Sequence, residues 1–315
     1  MATSDIHLDV ATAQRLVAPA DPSLRVSAVA ALTGGQNSAV FQIDTEDGTS
    51  LVIKVYSDTF HWKMQKELFV YGQLQADDVS APVPTILASD DTRKVLPQNV
   101  LIMTKLEGVH LLSILDHIDA DALVDLNRQI GSILRALHEV AFDSFGYVGT
   151  DGIVEPHPTN FDYMTLQFEK KAREFVELGG DRSLVDGITR YVAEREELFR
   201  ACSRAAFCHN DCHYGNVLVL PEDGTYRVSG LLDFENVLAG DPLLDLAKTY
   251  CYAPRPTKAE LAALVEGSGI ADSGWREAID LYVLYHLLEL WDWFASQGPQ
   301  DSLADIARSI ASLIT

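Results

Sequence analysis

Residues 207–219 read FCHNDCHYGNVLV, and the rest of the chain is organised around this stretch. Asp211 follows His209 by two residues, and Asn216 follows Asp211 by five. A second aspartate, Asp233, stands in the apolar run GLLDFE. A carboxylate beside a hydroxyl and two oxygen-bearing side chains for magnesium are the groups that phosphoryl transfer requires. We therefore interpret the two stretches as one site, in which Asn216 and Asp233 hold magnesium against nucleotide phosphates.

The segment between Asn216 and Asp233 predicts a β-hairpin. Residues 217–220 are VLVL and residues 226–232 are YRVSGLL. They flank the sequence PEDGT, whose Asp-Gly pair is typical of a tight turn. Because a hairpin returns the chain to the place where it left, we expect Asp233 to lie beside Asn216.

The first hundred residues read mostly as strands. Strands are predicted over 25–32, 39–45 and 50–56, with the polar turn TGGQNS between the first two. Lys54 stands in the middle of the apolar strand SLVIKVY. It either snorkels at a sheet edge or points under the glycine-containing turn and pairs with phosphates. The turn lacks a full G-x-G-x-x-G, so Lys54 alone does not decide between the two.

A helix is predicted over residues 60–76, and Glu67 lies on it, 13 residues after Lys54. Glu67 either pairs with Lys54 and holds it in place or partners Lys63 at i,i+4 on its own helix. Residues 100–106 read as a strand that ends in a hinge, whose backbone could face an adenine.

Beyond residue 106 the pattern becomes helical. Helices are predicted over 121–140, 160–178, 183–204, 259–266 and 275–294, and Asp241 with Pro242 begins another. On the last long helix four residues fall within one narrow arc: Tyr282, His286, Glu289 and Trp293. This stripe either lines an acceptor pocket or consists of core aromatics whose polar tips are satisfied internally.

The bulk composition is that of an ordinary globular protein, with a net charge of −22. No basic patch is visible, so no nucleic-acid partner is expected. The acidity is uneven, with −4 in residues 1–105 and −18 in 106–315. It suits a cationic small molecule, although solubility alone also explains it.

The N-terminal sequence does not read as a signal peptide, no stretch reads as a membrane span, and the four cysteines form no C-x-x-C pair. We therefore expect a cytoplasmic protein with reduced thiols and no membrane partner.

The motif H-x-D-x-x-x-x-N, the hairpin and LDFExxxxGDPxxDLA together resemble the aminoglycoside phosphotransferase-like family of small-molecule kinases. The resemblance runs from the loop at 33–38 through Val-Ile-Lys54 and Arg135-Ala-Leu-His138 to Leu246. It implies an α+β, protein-kinase-like two-lobe fold with ATP in the cleft. The mostly β N-lobe, with one helix, would span 1–105 and position the nucleotide. The mostly α C-lobe, 106–315, would carry the catalytic loop and the acceptor-binding helices.

The same resemblance assigns roles to residues. Asp211 would be the catalytic base or hydroxyl-orienting group, Asn216 and Asp233 the Mg²⁺ ligands, and Lys54 a phosphate contact partnered by Glu67. Further contacts to ATP or GTP are expected at Gly35, Gln36, Asn37, Ser38, Met103 and Lys105. The residues expected to brace the catalytic loop are His209, Asp241 and Asp245. One departure from the family pattern is Asn210, which stands where glycine is usual.

Three functions compete. The first is a kinase that phosphorylates a hydroxyl of an aminoglycoside or another aminated natural product, as an antibiotic-resistance enzyme does. The second is a metabolic kinase for choline, homoserine or a sugar. The third is a zinc hydrolase or metal-binding module built on Cys208, His209, Asp211, Cys212 and His213. The third leaves Lys54, Asn216 and Asp233 unexplained.

The first two functions differ in the acceptor pocket. A polycationic aminoglycoside needs several carboxylates, and the candidates are Glu155, Asp162, Glu235, Glu289 and Asp292. Choline would favour an aromatic cage, because ring faces attract quaternary ammonium groups. Tyr282 and Trp293 could contribute to either pocket. The sequence leaves the acceptor and the oligomeric state open.

Overall fold

The computed structural model describes residues 6–32, 38–271 and 274–315. The chain divides into two compact units. The first unit comprises the described residues up to Gly108 together with Gly149–Gly152 and Ser229–Glu235. The second comprises Val109–Val148, Ile153–Val228 and the described residues from Asn236 onward.

The described residues contain both helices and strands, as an α+β chain should. The helices are α1 (Val10–Val17), α2 (His61–Ala76), α3 (Leu111–Ile114), α4 (Ala120–His138), α5 (Asn160–Glu177), α6 (Arg182–Ala193), α7 (Glu196–Ala201), α8 (Pro242–Cys251), α9 (Lys258–Ser268), α10 (Trp275–Ser296) and α11 (Leu303–Leu313). The strands are β1 (Val26–Leu32), β2 (Ser38–Thr45), β3 (Ser50–Tyr56), β4 (Ile86–Asp90), β5 (Asn99–Thr104), β6 (Val109–His110), β7 (Ala141–Phe142), β8 (Gly146–Tyr147), β9 (Ala205–Cys208), β10 (Val217–Glu222), β11 (Thr225–Leu231) and β12 (Leu238–Gly240).

The first unit is built on an antiparallel sheet of order β1-β2-β3-β5-β4. Side chains alternate along β3, as its sequence predicts. Ile53 and Val55 join a core cluster with Leu16 of α1, whereas Tyr56 joins a second cluster with Met64 of α2. The middle strand therefore presents Lys54 on the same face as Tyr56.

The second unit contains most of the helices and the sheet of order β7-β9-β12-β8. A third sheet has the order β11-β10-β6. β10 and β11 form the predicted hairpin. Asp223 and Gly224 at its turn have φ values of 48° and 82°, as a two-residue turn of this kind requires. β9 is buried along its whole length and leads directly into the stretch that carries Asp211.

Several features differ from the sequence predictions. The single helix predicted over 183–204 is two helices, α6 and α7, because the chain turns between Ala193 and Glu196. The short strands β6, β7, β8, β9 and β12 were not predicted, and neither were the helices α3 and α11. Strands of two to four residues are set by their partners in the sheet, and they are too short to leave a periodic pattern in the sequence.

Candidate functional site

A buried ion pair joins β3 to α2 in the first unit. Lys54 Nζ lies 2.5 Å from Glu67 Oε1, and the same oxygen accepts a hydrogen bond of 2.9 Å from the hydroxyl of Tyr56. The Glu67 side chain is fully buried, and that of Lys54 is 16% exposed. Lys63 pairs with Glu235 at 2.8 Å. Of the two partners considered for Glu67, the structure therefore contains Lys54.

The charges around Lys54 keep it protonated. Burial alone would lower the pKa of this amine, but Glu67 and Asp233 raise it above its usual range. Burial raises the pKa of the Glu67 carboxyl, and Lys54 opposes that rise. The pair therefore keeps an ammonium group charged in a position where it would otherwise be too costly to bury.

Asp233 belongs to the same unit as Lys54. Carboxylate oxygens of Glu67, Asp233 and Glu235 lie within 4.8 Å of one another, which is close enough to share a cation. Asp233 has φ of 67°, a left-handed conformation that aspartate tolerates better than most residues. The predicted proximity of Asp233 to Asn216, which belongs to the second unit, stays a prediction.

In the second unit, Asp245 holds the chain on the N-terminal side of Asp211. Its two carboxylate oxygens accept from the backbone N–H groups of His209, at 2.8 Å, and Asn210, at 2.6 Å. The His138 ring lies 3.0 Å from the first of these oxygens. Burial alone would raise the pKa of Asp245, but its contact with His138 brings that pKa below its usual value. Asp245 thus acts as an internal anion that fixes the loop backbone.

Asp211 itself is tied down on three sides. Its N–H donates to His209 Nδ1 at 3.1 Å, and its backbone carbonyl accepts from Asn216 Nδ2 at 3.0 Å. Its carboxylate oxygen Oδ2 accepts from Asn236 Nδ2 at 3.0 Å. The other oxygen, Oδ1, lies 3.9 Å from His213 Nε2, beyond hydrogen-bond distance. The side chain is 19% exposed, so the carboxylate is held in place and yet accessible.

Asp241 begins α8, as its sequence predicts, with Pro242 in the first turn. One of its oxygens accepts from the N–H of Leu243 at 2.9 Å, and the other accepts from the hydroxyl of Tyr282 at 2.8 Å. Burial raises the pKa of Asp241. Asp241 therefore joins the start of α8 to the middle of α10.

The aromatic and carboxylate stripe of α10 divides into two parts. Tyr282 and His286 are buried, and their polar atoms have partners within the protein. Glu289 is 20% exposed and lies 3.2 Å from Lys248 Nζ and 2.7 Å from His286 Nδ1. Burial would raise the pKa of Glu289, but chiefly Lys248 lowers it, to about 2. Trp293 is 45% exposed and packs edge-to-face on Phe294.

The other candidate residues lie in several places. Asp162 is exposed at the start of α5, where it exchanges hydrogen bonds with Thr159. Met103 is buried in β5, and Lys105, just beyond that strand, pairs with Glu107 at 3.2 Å. Ser38 is buried at the start of β2. The remaining nucleotide-binding candidates, Gly35, Gln36 and Asn37, lie outside the described residues.

The zinc alternative finds little support in the geometry. Within residues 6–32, 38–271 and 274–315, the groups close enough to share a metal are His138–Cys208–Asp245 and Glu67–Asp233–Glu235. Of the five residues that the sequence suggested for a zinc site, only Cys208 belongs to either group. Burial raises the pKa of the Cys208 and Cys212 thiols, which disfavours the thiolate that zinc binds.

Sequence reasoning missed the partners of Asp211 and Glu289. Asn236 and Lys248 carry no motif of their own, and their contacts span 25 and 41 residues of sequence. The sequence offered one indirect signal for these contacts, namely Asn210, which contacts both Asn236 and Lys248. It stands where the family usually has glycine, and its φ of 55° explains why glycine is usual there.

Comparison with known proteins identifies the family. Residues 28–281 match the phosphotransferase enzyme family. The match covers most of the chain, so the chain belongs to this family and is a small-molecule phosphotransferase, as predicted.

Solved structures share the whole fold. The aminoglycoside phosphotransferase APH(4)-Ia is 17% identical, with a TM-score of 0.70, over 97% of this chain and 98% of that one. A candidate fructosamine-3-kinase from Thermobifida fusca is 21% identical, with a TM-score of 0.66, over 95% of this chain and 99% of that one. APH(2")-IIia, solved with GDP and kanamycin, is 15% identical, with a TM-score of 0.66, over 96% of this chain and 97% of that one. The predicted α+β, protein-kinase-like fold is confirmed. In the described part of the chain, no helix has the length and apolar character needed to span a bilayer.

Proposed function

We propose that this phosphotransferase moves the γ-phosphoryl group of ATP or GTP to a hydroxyl of a small molecule, with Mg²⁺ bound. The observation that carries the proposal is the ion pair between Lys54 and the fully buried Glu67. Burying a charged pair is costly, and it adds little stability over an apolar pair of the same size. A lysine held charged in this way is useful where phosphate groups must be bound.

The donor atoms suit magnesium. Asn216 and Asp233 offer amide and carboxylate oxygens, the hard ligands that Mg²⁺ prefers. When bound, the ion would neutralise charge on the phosphates as the phosphoryl group is transferred. The protein would contribute Asn216 and Asp233 as the ligands, with Lys54 as the second positive charge on the phosphates.

Asp211 would meet the acceptor. Its carboxylate is fixed by Asn236 and remains partly exposed, so it can accept a hydrogen bond from an incoming hydroxyl. It would orient that hydroxyl and take its proton as the bond to phosphorus forms. Asp245 and His209 would keep the loop backbone in place while this happens.

The nucleotide would be positioned by residues 1–105, and the acceptor would be bound by helices within 106–315. The proposed nucleotide contacts other than Lys54 are Glu67, through Lys54, and Gly35, Gln36, Asn37, Ser38, Met103 and Lys105. Support comes from the solved relatives of this fold, which hold ADP with hygromycin B, AMP-PNP with hygromycin B, or GDP with kanamycin.

For the acceptor we favour an aminoglycoside or another aminated natural product, which would make the enzyme one of antibiotic resistance. The net charge of −18 in residues 106–315 supports a cationic acceptor. Asp162 and Trp293 are the exposed candidates for its binding. Glu235 is already paired with Lys63, Glu289 is paired with Lys248, and the Tyr282 hydroxyl donates to Asp241, so these three candidates would act less directly.

A metabolic acceptor is the second candidate. The resemblance in fold to a candidate fructosamine-3-kinase favours an aminated sugar over choline. Of the two aromatics proposed for a choline cage, Tyr282 is buried and Trp293 is exposed. A cage requires that each of the two rings turns an accessible face toward the cation.

The test is a panel experiment read by mass spectrometry. The protein is incubated with Mg²⁺ and ATP or GTP and, in separate reactions, with aminoglycosides, aminated sugars and choline. We expect one acceptor class to gain a phosphoryl group. A chelator should abolish the gain, and Asp211→Ala should slow it by about 10²–10⁴-fold. If aminated natural products stay unmodified while another class is phosphorylated, the resistance function is wrong. If no acceptor gains a phosphoryl group, the kinase proposal itself is in error.

A further inference from the structure

Asn210 uses a conformation that usually belongs to glycine. Its φ of 55° lies in the left-handed region, which asparagine tolerates better than most residues. Glycine would take this backbone conformation at no cost, so the side chain needs another explanation. Asn210 is 7% exposed, and both ends of its amide face polar groups of the protein.

The amide of Asn210 connects two neighbours. Its Nδ2 donates to the backbone carbonyl of Asn236 at 3.2 Å, and its Oδ1 faces Lys248 Nζ at 3.5 Å. Asn236 in turn donates from Nδ2 to Asp211 Oδ2 at 3.0 Å. The contacts with Lys248 and with Asn236 share the Asn210 amide, so they polarise one another. Asn210 thereby fixes the backbone of Asn236, whose side chain donates to Asp211.

Lys248 is itself fixed. It lies on α8, its side chain is 7% exposed, and it pairs with Glu289 of α10 at 3.2 Å. Glu289 also contacts His286 Nδ1, and the other ring nitrogen of His286 lies 3.0 Å from the backbone carbonyl of Leu244. The cation therefore lies at one end of these contacts and Asp211 at the other, and all of these residues belong to the second unit.

We propose that Asn236 is the positioning residue of Asp211, and that Asn210 and Lys248 act through Asn236. The inference rests on the proposed function, because it concerns the carboxylate that would meet the acceptor. With Oδ2 engaged by Asn236, Oδ1 is the oxygen left for the acceptor hydroxyl. Asn236 thus selects which oxygen of Asp211 reacts and the direction in which it faces.

The first test removes the donor of Asn236. In Asn236→Ala the hydrogen bond to Asp211 is lost, and in the isosteric Asn236→Asp it is replaced by repulsion between two carboxylates. Losing one hydrogen bond to a charged group predicts a kcat lower by about 10–100-fold. The KM for the nucleotide should stay within about twofold, because Asn236 would act only on the acceptor side. A merely structural role would instead lower the fraction of folded enzyme and leave kcat per folded molecule unchanged.

The second test asks whether Asn210 acts through Asn236. Asn210→Gly keeps the left-handed backbone and deletes only the side chain, so the variant should fold. In the otherwise wild-type protein, we expect Asn210→Gly to lower kcat about 3–10-fold, as for a weakened hydrogen bond. When Asn236→Ala is already present, adding Asn210→Gly should lower kcat no further.

Lys248→Met should lower kcat by a similar factor to Asn210→Gly. Its matched control is Lys171→Met, which removes a lysine of 13% exposure paired with Glu174 and Asp292 and should leave kcat unchanged.

The outcomes separate this inference from the proposed function. If the wild-type enzyme phosphorylates an acceptor and Asp211→Ala does so far more slowly, the function stands. Wild-type kcat in Asn236→Ala would then overturn the positioning role alone. Independent, multiplicative losses in Asn210→Gly and Asn236→Ala would overturn the claim that Asn210 acts through Asn236. Absence of phosphorylation in the wild type would overturn the function and this inference together.

Discussion

At the scale of single residues, the site depends on polar groups placed where apolar ones would be expected. Lys54 interrupts an apolar strand, and that interruption was visible in the sequence together with a glutamate 13 residues later. The structure contains their ion pair, with a hydroxyl from Tyr56 on the same oxygen. A charge inside a sheet is costly unless it is paired. The sequence left two partners open for Glu67, and the structure contains the pair with Lys54.

Neutralising Lys54 alone should destabilise the fold. Lys54→Met leaves Glu67 as a buried, unpaired carboxylate, which should cost about 3–5 kcal/mol. The double variant Lys54→Met/Glu67→Gln removes both charges, and it should recover most of that loss while remaining without phosphotransfer activity. Urea denaturation followed by tryptophan fluorescence measures both free energies. Equal stability of the single and double variants would mean that the pair is not coupled.

The sequence could not have predicted Asn236 and Lys248. Asp211, Asn216 and Asp233 belong to a motif whose order and spacing are visible in one dimension. Asn236 meets Asp211 only because β12 pairs with β9, at a register that no local pattern encodes. The residues of a motif can be predicted from sequence, whereas those that support it are set by tertiary pairing.

At the scale of elements, α4 and α9 approach each other unusually closely. A Cβ added at Gly131 would lie 2.1 Å from the carbonyl oxygen of Leu264, and one added at Gly267 would lie 1.9 Å from that of Arg128. Backbone atoms cannot move aside as a flexible side chain can. These two glycines therefore set the distance between the helices.

Gly131→Ala should push α4 and α9 apart and destabilise the protein by about 1–3 kcal/mol, the usual cost of overpacking. The matched control is Gly72→Ala, at an open position inside α2 where an added Cβ meets nothing within 4 Å. That variant should gain about 0.5–1 kcal/mol from helix propensity. Thermal denaturation compares the two. A stabilised Gly131→Ala would show that the helices can separate without loss.

The stability contributed by the Lys248–Glu289 contact between α8 and α10 should fall in acid. The pKa of Glu289 is lowered from 4.5 to about 2, so its carboxylate stabilises the folded state above about pH 4.5. That contribution is lost as the pH falls from 4.5 toward 2. Glu289→Gln should therefore be less stable than the wild type at pH 7, by up to about 3 kcal/mol, and the difference should shrink in acid. Urea denaturation at several pH values measures it, and a difference independent of pH would contradict this account.

Length accounts for the strands that the sequence missed, although the 11-residue helix α11 was not predicted either. The bounds of β3 agree with the alternating pattern, and α2, α4 and α5 follow helical periodicity to within about two residues. β8 and β12 have two and three residues, and only their neighbours in the sheet define them. The turn that separates α6 from α7 contains neither glycine nor proline, so nothing in the sequence marked it.

At the scale of the whole molecule, the uneven charge should act on the acceptor. With −18 in residues 106–315, a polycationic acceptor is attracted over a distance that salt shortens to about 8 Å at physiological ionic strength. We expect the acceptor KM to rise several-fold between about 0.05 and 0.5 M salt for an aminoglycoside. For a neutral sugar it should hardly change. Steady-state kinetics at several salt concentrations measures this, and a salt-independent KM for the aminoglycoside would argue against electrostatic selection.

The two compact units each hold part of the proposed machinery. Lys54, Glu67 and Asp233 belong to the first, and Asp211 and Asn216 belong to the second. Residues 28–281 match the phosphotransferase enzyme family, and the fold is shared over 97% of the chain. The reaction that we propose for these residues is transfer of the γ-phosphoryl group to an acceptor hydroxyl.

The most direct measurement uses ATP labelled with ¹⁸O at the nonbridging oxygens of its γ-phosphate. We predict that mass spectrometry of the acceptor will show an added phosphoryl group that keeps all of its labelled oxygens, because the acceptor's own oxygen forms the new bond to phosphorus. Asp211→Ala should slow this transfer by about 10²–10⁴-fold. An acceptor that gains no labelled phosphoryl group, or an Asp211→Ala variant as fast as the wild type, would contradict the account.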